Sequence, residues 1–180
     1  MLITADRSCL LVIDIQGKLA PTMADTQMVT DNSALLLKAA AVLEVPILVS
    51  EQYPRGLGHT LPQLATLMPP DSRVEKVHFS CMGDDGFARR FREIDRSQAV
   101  LVGIEAHVCV LQTAEQMIEA GCDVFVVADA TSSRTTANHE AALERMRADG
   151  AQIVTTEMVA FEWLERAGTP EFKEISALIK

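Results

Sequence analysis

Hydrophobic positions along the chain fall into two alternating patterns. Apolar runs recur at Cys9-Leu10-Leu11-Val12-Ile13, Ile47-Leu48-Val49-Ser50, Ala99-Val100-Leu101-Val102-Gly103, Val124-Phe125-Val126-Val127-Ala128 and Gln152-Ile153-Val154-Thr155. Continuous short runs of this kind predict strands covered on both faces. Arg73-Val74-Glu75-Lys76-Val77 alternates instead, and leads into His78-Phe79-Ser80 as a more polar third strand.

Helical periodicity fills the gaps. Leu36, Ala39, Ala40 and Leu43 form one stripe of an amphipathic helix. Asp31, Asn32 or Ser33 is expected to start that helix, and Pro46 separates it from the next strand. Asp84-Asp85-Gly86 opens a helix through Phe91, with acidic residues at its start and arginines later, as the helix dipole favours. Val110, Ala114, Met117 and Ile118 share the face of another helix, which stops at Gly121. A further helix runs from about Thr135 to Asp149, and the end of the chain, with Phe161, Trp163, Leu164 and Phe172, predicts one or two more. Six strands separated mostly by helices, without a hairpin signal, predict an α/β fold with a parallel sheet. Right-handed crossovers then bring every strand's carboxyl end to one edge, where open α/β sheets bind ligands.

Composition narrows the function. At 180 residues, 48% of them hydrophobic, the chain is long enough for one domain (residues 1–180) with a sizeable core. A formal net charge of −9 argues against nucleic acid as partner and gives no reason to expect an anionic membrane. No apolar run reaches the ~20 residues of a membrane span. The opening residues lack the order of a secretory signal, so a cytoplasmic location is expected. Four cysteines without a C-x-x-C pair read as reduced thiols rather than a disulfide scaffold. The histidines show no zinc-binding spacing, and neither G-x-G-x-x-G after the first strand nor a P-loop is present.

Three reactive side chains stand where the topology predicts a site. Asp14 ends strand one, Lys76 lies near the end of strand three, and Cys109 lies just past strand four in the first turn of the next helix. Each has an ordinary structural reading, as a turn residue, a solvated cation and a small core residue. Together they form a device for nucleophilic attack on a carbonyl. A thiol needs deprotonation, which a helix N-terminus assists; a carboxylate can take its proton; an ammonium keeps that carboxylate ionised. Cys9 and Cys122 fall away from this edge, while Cys81 stays close to it.

The same segments carry a resemblance. Val12-Ile13-Asp14-Ile15-Gln16, Glu75-Lys76-Val77-His78-Phe79-Ser80 and Gly103-Ile104-Glu105-Ala106-His107-Val108-Cys109 resemble, in order, the D-x-Q, K-x-x-F-S and nucleophile-turn segments of the isochorismatase-like cysteine hydrolases. Glu51-Gln52-Tyr53-Pro54-Arg55-Gly56-Leu57-Gly58 most resembles the small isochorismatase domain-containing proteins. The resemblance implies a three-layer α/β/α Rossmann-like fold with six parallel strands, and a cis peptide joining Ile104 to Glu105. It also implies an oxyanion hole made by the amides of Glu105 and Cys109. Glu51-Gln52-Tyr53 lacks the histidine of the D-x-H metal loop of nicotinamidases, so neither a catalytic metal nor a cofactor is expected. Cys109 itself points away from isochorismate, because true isochorismatases generally lack this nucleophile. Ala106 stands where many relatives carry Thr.

The expected activity is hydrolysis of an amide-type C–N bond in a small molecule through a Cys109 thioester. Gln16, Tyr53, Phe79 and His107 are the candidates for the pocket wall. Relatives of this kind are commonly homo-oligomers, so a dimer or tetramer is expected. Two other functions fit the same residues: an interaction protein that keeps the fold without the activity, and a thiol redox sensor pairing Cys109 with Cys81.

Overall fold

Alternation persists inside even the continuously apolar strands. In β1 (Ser8–Ile13), Leu10 and Val12 enter one core while Cys9, Leu11 and Ile13 enter another on the opposite face. β4 (Gln98–Ile104) divides likewise, with Val100, Val102 and Ile104 on the first side and Ala99 and Leu101 on the second. Two separate cores require helices on both faces, and the computed structural model, which describes residues 1–179, has that three-layer arrangement.

The sheet has six parallel strands in the order β3-β2-β1-β4-β5-β6, completed by β2 (Ile47–Gln52), β3 (Arg73–Lys76), β5 (Asp123–Ser132) and β6 (Gln152–Val154). One core receives α1 (Thr26–Val42), the single-turn α3 (Pro62–Ala65), α7 (Thr156–Leu164) and α8 (Pro170–Leu178). The other receives α4 (Asp85–Ile94), α5 (Leu111–Glu119) and α6 (Thr136–Ala148). A further single turn, α2 (Pro54–Leu57), follows β2 directly. Among the described residues, no helix is long and apolar enough to cross a membrane.

The boundaries of α1 and β5 are among those that differ from the sequence-based expectation. α1 starts at Thr26, ahead of residues 31–33, because the Asp25 side chain accepts from the Met28 amide and Val29 and Thr30 extend the buried face. β5 continues to Ser132 rather than stopping at Ala128, through a register shift against β4 between Leu101 and Gly103. That extension brings residues 132–134 to the edge occupied by the end of β4.

Close approach of β1 and β4 depends on Gly103. It pairs with Ile13, has φ +125°, and any Cβ placed there would lie 2.0 Å from the Ile13 carbonyl oxygen. Only glycine meets both demands. Gly103→Ala is therefore expected to destabilise the protein by at least about 3 kcal/mol in urea denaturation, through strain and forced separation of the central strands.

Burial also makes stability sensitive to alkali. It pushes the Cys9 thiol from its ordinary 9.0 up to about 12, against the lesser pull of Arg96. Cys81 is pushed up to about 11 by burial and then by Asp14. Both groups have folded values above their unfolded ones, so their contribution is complete below pH 9 and declines as pH rises. Between about pH 9 and 11 each thiol removes about 1.4 kcal/mol of stability per pH unit. Chemical denaturation across that range should show the decline, with a shallower slope in Cys9→Ala.

Candidate active site

A buried ion pair lies where the strands end. Asp14 follows β1 directly, with φ +53°, and its amide donates to the Ser50 carbonyl at the end of β2. Lys76 is the last residue of β3, which pairs with Gln52. The Lys76 ammonium donates to Asp14 Oδ2 at 2.8 Å, and neither side chain has any exposure to solvent. Parallel registry across three strands thus brings together residues far apart in sequence.

Further bonds fix both charges. Ser50 Oγ donates to Asp14 Oδ1 at 2.7 Å. Lys76 Nζ also reaches Gln52 Oε1 at 2.7 Å, the Phe79 carbonyl at 3.0 Å and the His78 carbonyl at 3.2 Å. Three ammonium hydrogens face four acceptors, so at least one is shared. Burial works to lower the pKa of Lys76, but the charge and hydrogen bond of Asp14 lead the opposing effects, and the group is held above its ordinary 10.5. The ammonium stays charged.

Cys109 completes the cluster. It lies in a π-helical turn, Ala106–Val110, between β4 and α5, and is only 5% exposed. Its thiol lies within the electrostatic reach of Asp14 and Lys76. The expectation that a helix terminus would lower this thiol's pKa is corrected: burial first, and the Asp14 carboxylate second, push it well above 9.0, with Lys76 opposing. The proton therefore rests on sulfur.

The nucleophile turn carries the cis Ile104–Glu105 peptide that the resemblance implied. The Glu105 carbonyl accepts from the amides of Val108 at 3.0 Å and Val110 at 3.2 Å, passing over that of Cys109. Its carboxylate is buried and forked onto Arg134, with contacts of 2.9, 3.0 and 3.2 Å.

The remaining candidates divide. Gln16 is fully buried and spent on backbone: its Nε2 donates to the Gln52 and Gly58 carbonyls, and its Oε1 accepts from the Gln52 amide. It thereby cross-links the segment after β1 to the end of β2 and to Gly58. Tyr53 and Phe79 are each 55% exposed near the Lys76 end of the cluster. Tyr53, Arg55 and Val77 line a cavity of about 360 Å³ that reaches Lys76. A larger cavity of about 730 Å³, walled by Leu2, Met158 and Phe161, includes none of the candidate site residues. His107 pairs through Nδ1 with Ser133 Oγ at 2.9 Å, so it braces the turn against the end of β5.

The residues corresponding to a metal loop are otherwise engaged. Glu51 accepts from the Thr60 amide and hydroxyl and from His59, bonds that hold its carboxyl below its ordinary 4.5 although burial works to raise it. Gln52 is committed to Lys76 and to the Val77 carbonyl. Among the described residues, no cluster of three or more His, Cys, Asp or Glu side chains is placed to hold a metal. Sequence reasoning missed Ser50, Gln52 and Arg134. The strand-end rule that found Asp14 and Lys76 applies equally to Ser50 and Gln52, whereas Arg134 enters only through the extension of β5.

Comparison with known proteins identifies the family and the fold. The isochorismatase domain profile matches residues 8–158. Isochorismatase domain-containing protein 2 of Danio rerio is 39% identical over 173 residues, covering 96% of this chain and 86% of that protein. A structure described as MAR1 ribonuclease from Caenorhabditis elegans superposes with a TM-score of 0.93 at 36% identity, covering 99% of this chain and 92% of the other. The YcaC gene product of Escherichia coli, described as an octameric hydrolase of unknown specificity, has the same fold, with a TM-score of 0.93 at 22% identity over 99% and 90% of the two chains. In sequence and in three dimensions, this chain belongs to the isochorismatase family and is an isochorismatase-like hydrolase.

Proposed function

We propose that the chain works as one domain, a cysteine hydrolase that cleaves an amide-type C–N bond of a small molecule. The observation that carries this reading is the shared carboxylate. Asp14 accepts from the buried Lys76 ammonium at 2.8 Å, and its charge acts on the Cys109 thiol. In the reaction, Asp14 takes the thiol proton as sulfur attacks the carbonyl carbon. The amides of Glu105 and Cys109 receive the oxyanion. Collapse breaks the C–N bond, Asp14 returns the proton to the leaving amine, and a Cys109 thioester remains. Water, deprotonated by Asp14, then attacks the thioester and releases the acid and the free thiol.

A raised thiol pKa suits this scheme. Ionisation coincides with attack, so the resting enzyme carries no exposed thiolate. Lys76 pairs with the Asp14 carboxylate while the thiol remains protonated. Tyr53, Phe79 and His107 are the proposed pocket contacts, and no metal takes part. A reducing, cytoplasmic compartment fits four free thiols. The net charge of −9 favours a small molecule over RNA as substrate. Two exposed apolar groups, Tyr53 with Val77 and Phe79, and Leu2 with Met158 and Phe161, support a homo-oligomer.

Cys109→Ala is expected to abolish hydrolysis across a panel of small amides, ureas and carbamoyl compounds without loss of folded signal in circular dichroism; retained turnover rules out this nucleophile. Lys76→Met should cost about 3–5 kcal/mol in urea denaturation, because it strands a buried carboxylate. Adding Asp14→Asn should recover part of that stability while the protein stays inactive, which separates the charge pair's role in folding from its role in chemistry.

A further inference from the structure

Arg134 has no part in the reaction as written, yet it holds the residue on which the oxyanion hole depends. The Glu105 side chain is 7% exposed and that of Arg134 is 64% exposed. Among the described residues, Arg134 is the sole donor to the Glu105 carboxylate, through the Nε and Nη2 fork. The two residues follow paired strand ends, since Ile104 lies opposite Ser132. The loop carrying Arg134 is braced from behind: the Ala24 amide donates to the Ser133 carbonyl at 2.9 Å, and Ser133 Oγ meets His107.

An exposed arginine pairing with a surface carboxylate would have little consequence. This carboxylate is buried, so losing its partner would leave an uncompensated charge beneath the nucleophile turn. Relief would come by swinging the carboxylate toward water, which rotates the peptide whose N–H faces the substrate. We infer that Arg134 is a positioning residue: its guanidinium fixes the Glu105 peptide in the orientation that receives the developing oxyanion. The inference rests on the cysteine-hydrolase reading above.

Two probes of Cys109 separate this role from general support of the site. p-Nitrophenyl acetate acylates a nucleophilic thiol through an oxyanion and releases nitrophenolate. Iodoacetamide alkylates the same sulfur by direct displacement of iodide, with no oxyanion formed. Arg134→Ala is expected to slow acylation about tenfold or more, as the misplacement of one oxyanion donor predicts, while alkylation stays within about twofold of wild type. Arg134→Lys should fall between the two, and millimolar guanidinium should restore part of the acylation rate to Arg134→Ala. Equal loss of both reactions, or unchanged acylation, would overturn the inference. Should Arg134→Ala fail to fold, Arg134→Lys carries the test by the same comparison. A wild-type protein that is alkylated at Cys109 but never releases nitrophenolate would instead sink the hydrolase reading, and this inference with it.

Discussion

Two opposite charges without solvent contact are costly to bury and costlier to separate, and the Asp14–Lys76 pair imposes that constraint on the surrounding structure. Its members come from β1 and β3, which do not touch; β2 lies between them. The pair can close only if the three strands end in step. Ser50 and Gln52, both on β2, fill the remaining bonding positions of the carboxylate and the ammonium. Gln16 ties the backbone of β2 back to the segment after β1. The polar cluster is therefore hydrogen-bonded from β2 and from the segments that follow β1 and β3.

On the other side of β1 the constraint is steric. Gly103 lets β4 pass within contact of Ile13, and the chain then enters the π-helical turn that seats the sulfur against Asp14. Turn geometry leaves the Cys109 amide outside the pair of bonds made to the Glu105 carbonyl. The Glu105 carboxylate meanwhile looks away from the sheet toward Arg134.

Much of this was legible in the residues. Apolar runs gave the strands and their order of burial, and the end-of-strand positions of Asp14 and Lys76 gave a shared edge. The register that lets them touch was not legible, because pairing depends on how long each strand runs, and β2 and β5 both exceed their apolar cores. β2 continues through the polar Glu51 and Gln52, and β5 through Thr131 and Ser132. Polar residues at strand ends look like loop in a sequence and become ladder when a neighbour supplies hydrogen bonds. Gln16 was open in a related way: a glutamine two residues after a strand-end aspartate suits substrate binding and backbone cross-linking equally, and its bond partners show the cross-link.

The direction of the Cys109 shift bears on how such a site is kept safe and reactive at once. A thiol activated in the resting state would be open to oxidation, and a second thiol, Cys81, shares its electrostatic surroundings. Burial together with an ionised neighbour keeps the proton on sulfur, and Cys81, fully buried and interacting with Ser50 and Thr113, is protonated for the same reason. On the reading proposed above, reactivity is conditional on a carbonyl reaching the sulfur, because charge forming on its oxygen makes proton transfer to Asp14 favourable. The features that look least like those of an activated cysteine, low exposure and a raised pKa, follow from placing the base, rather than the thiolate, at the centre of the design.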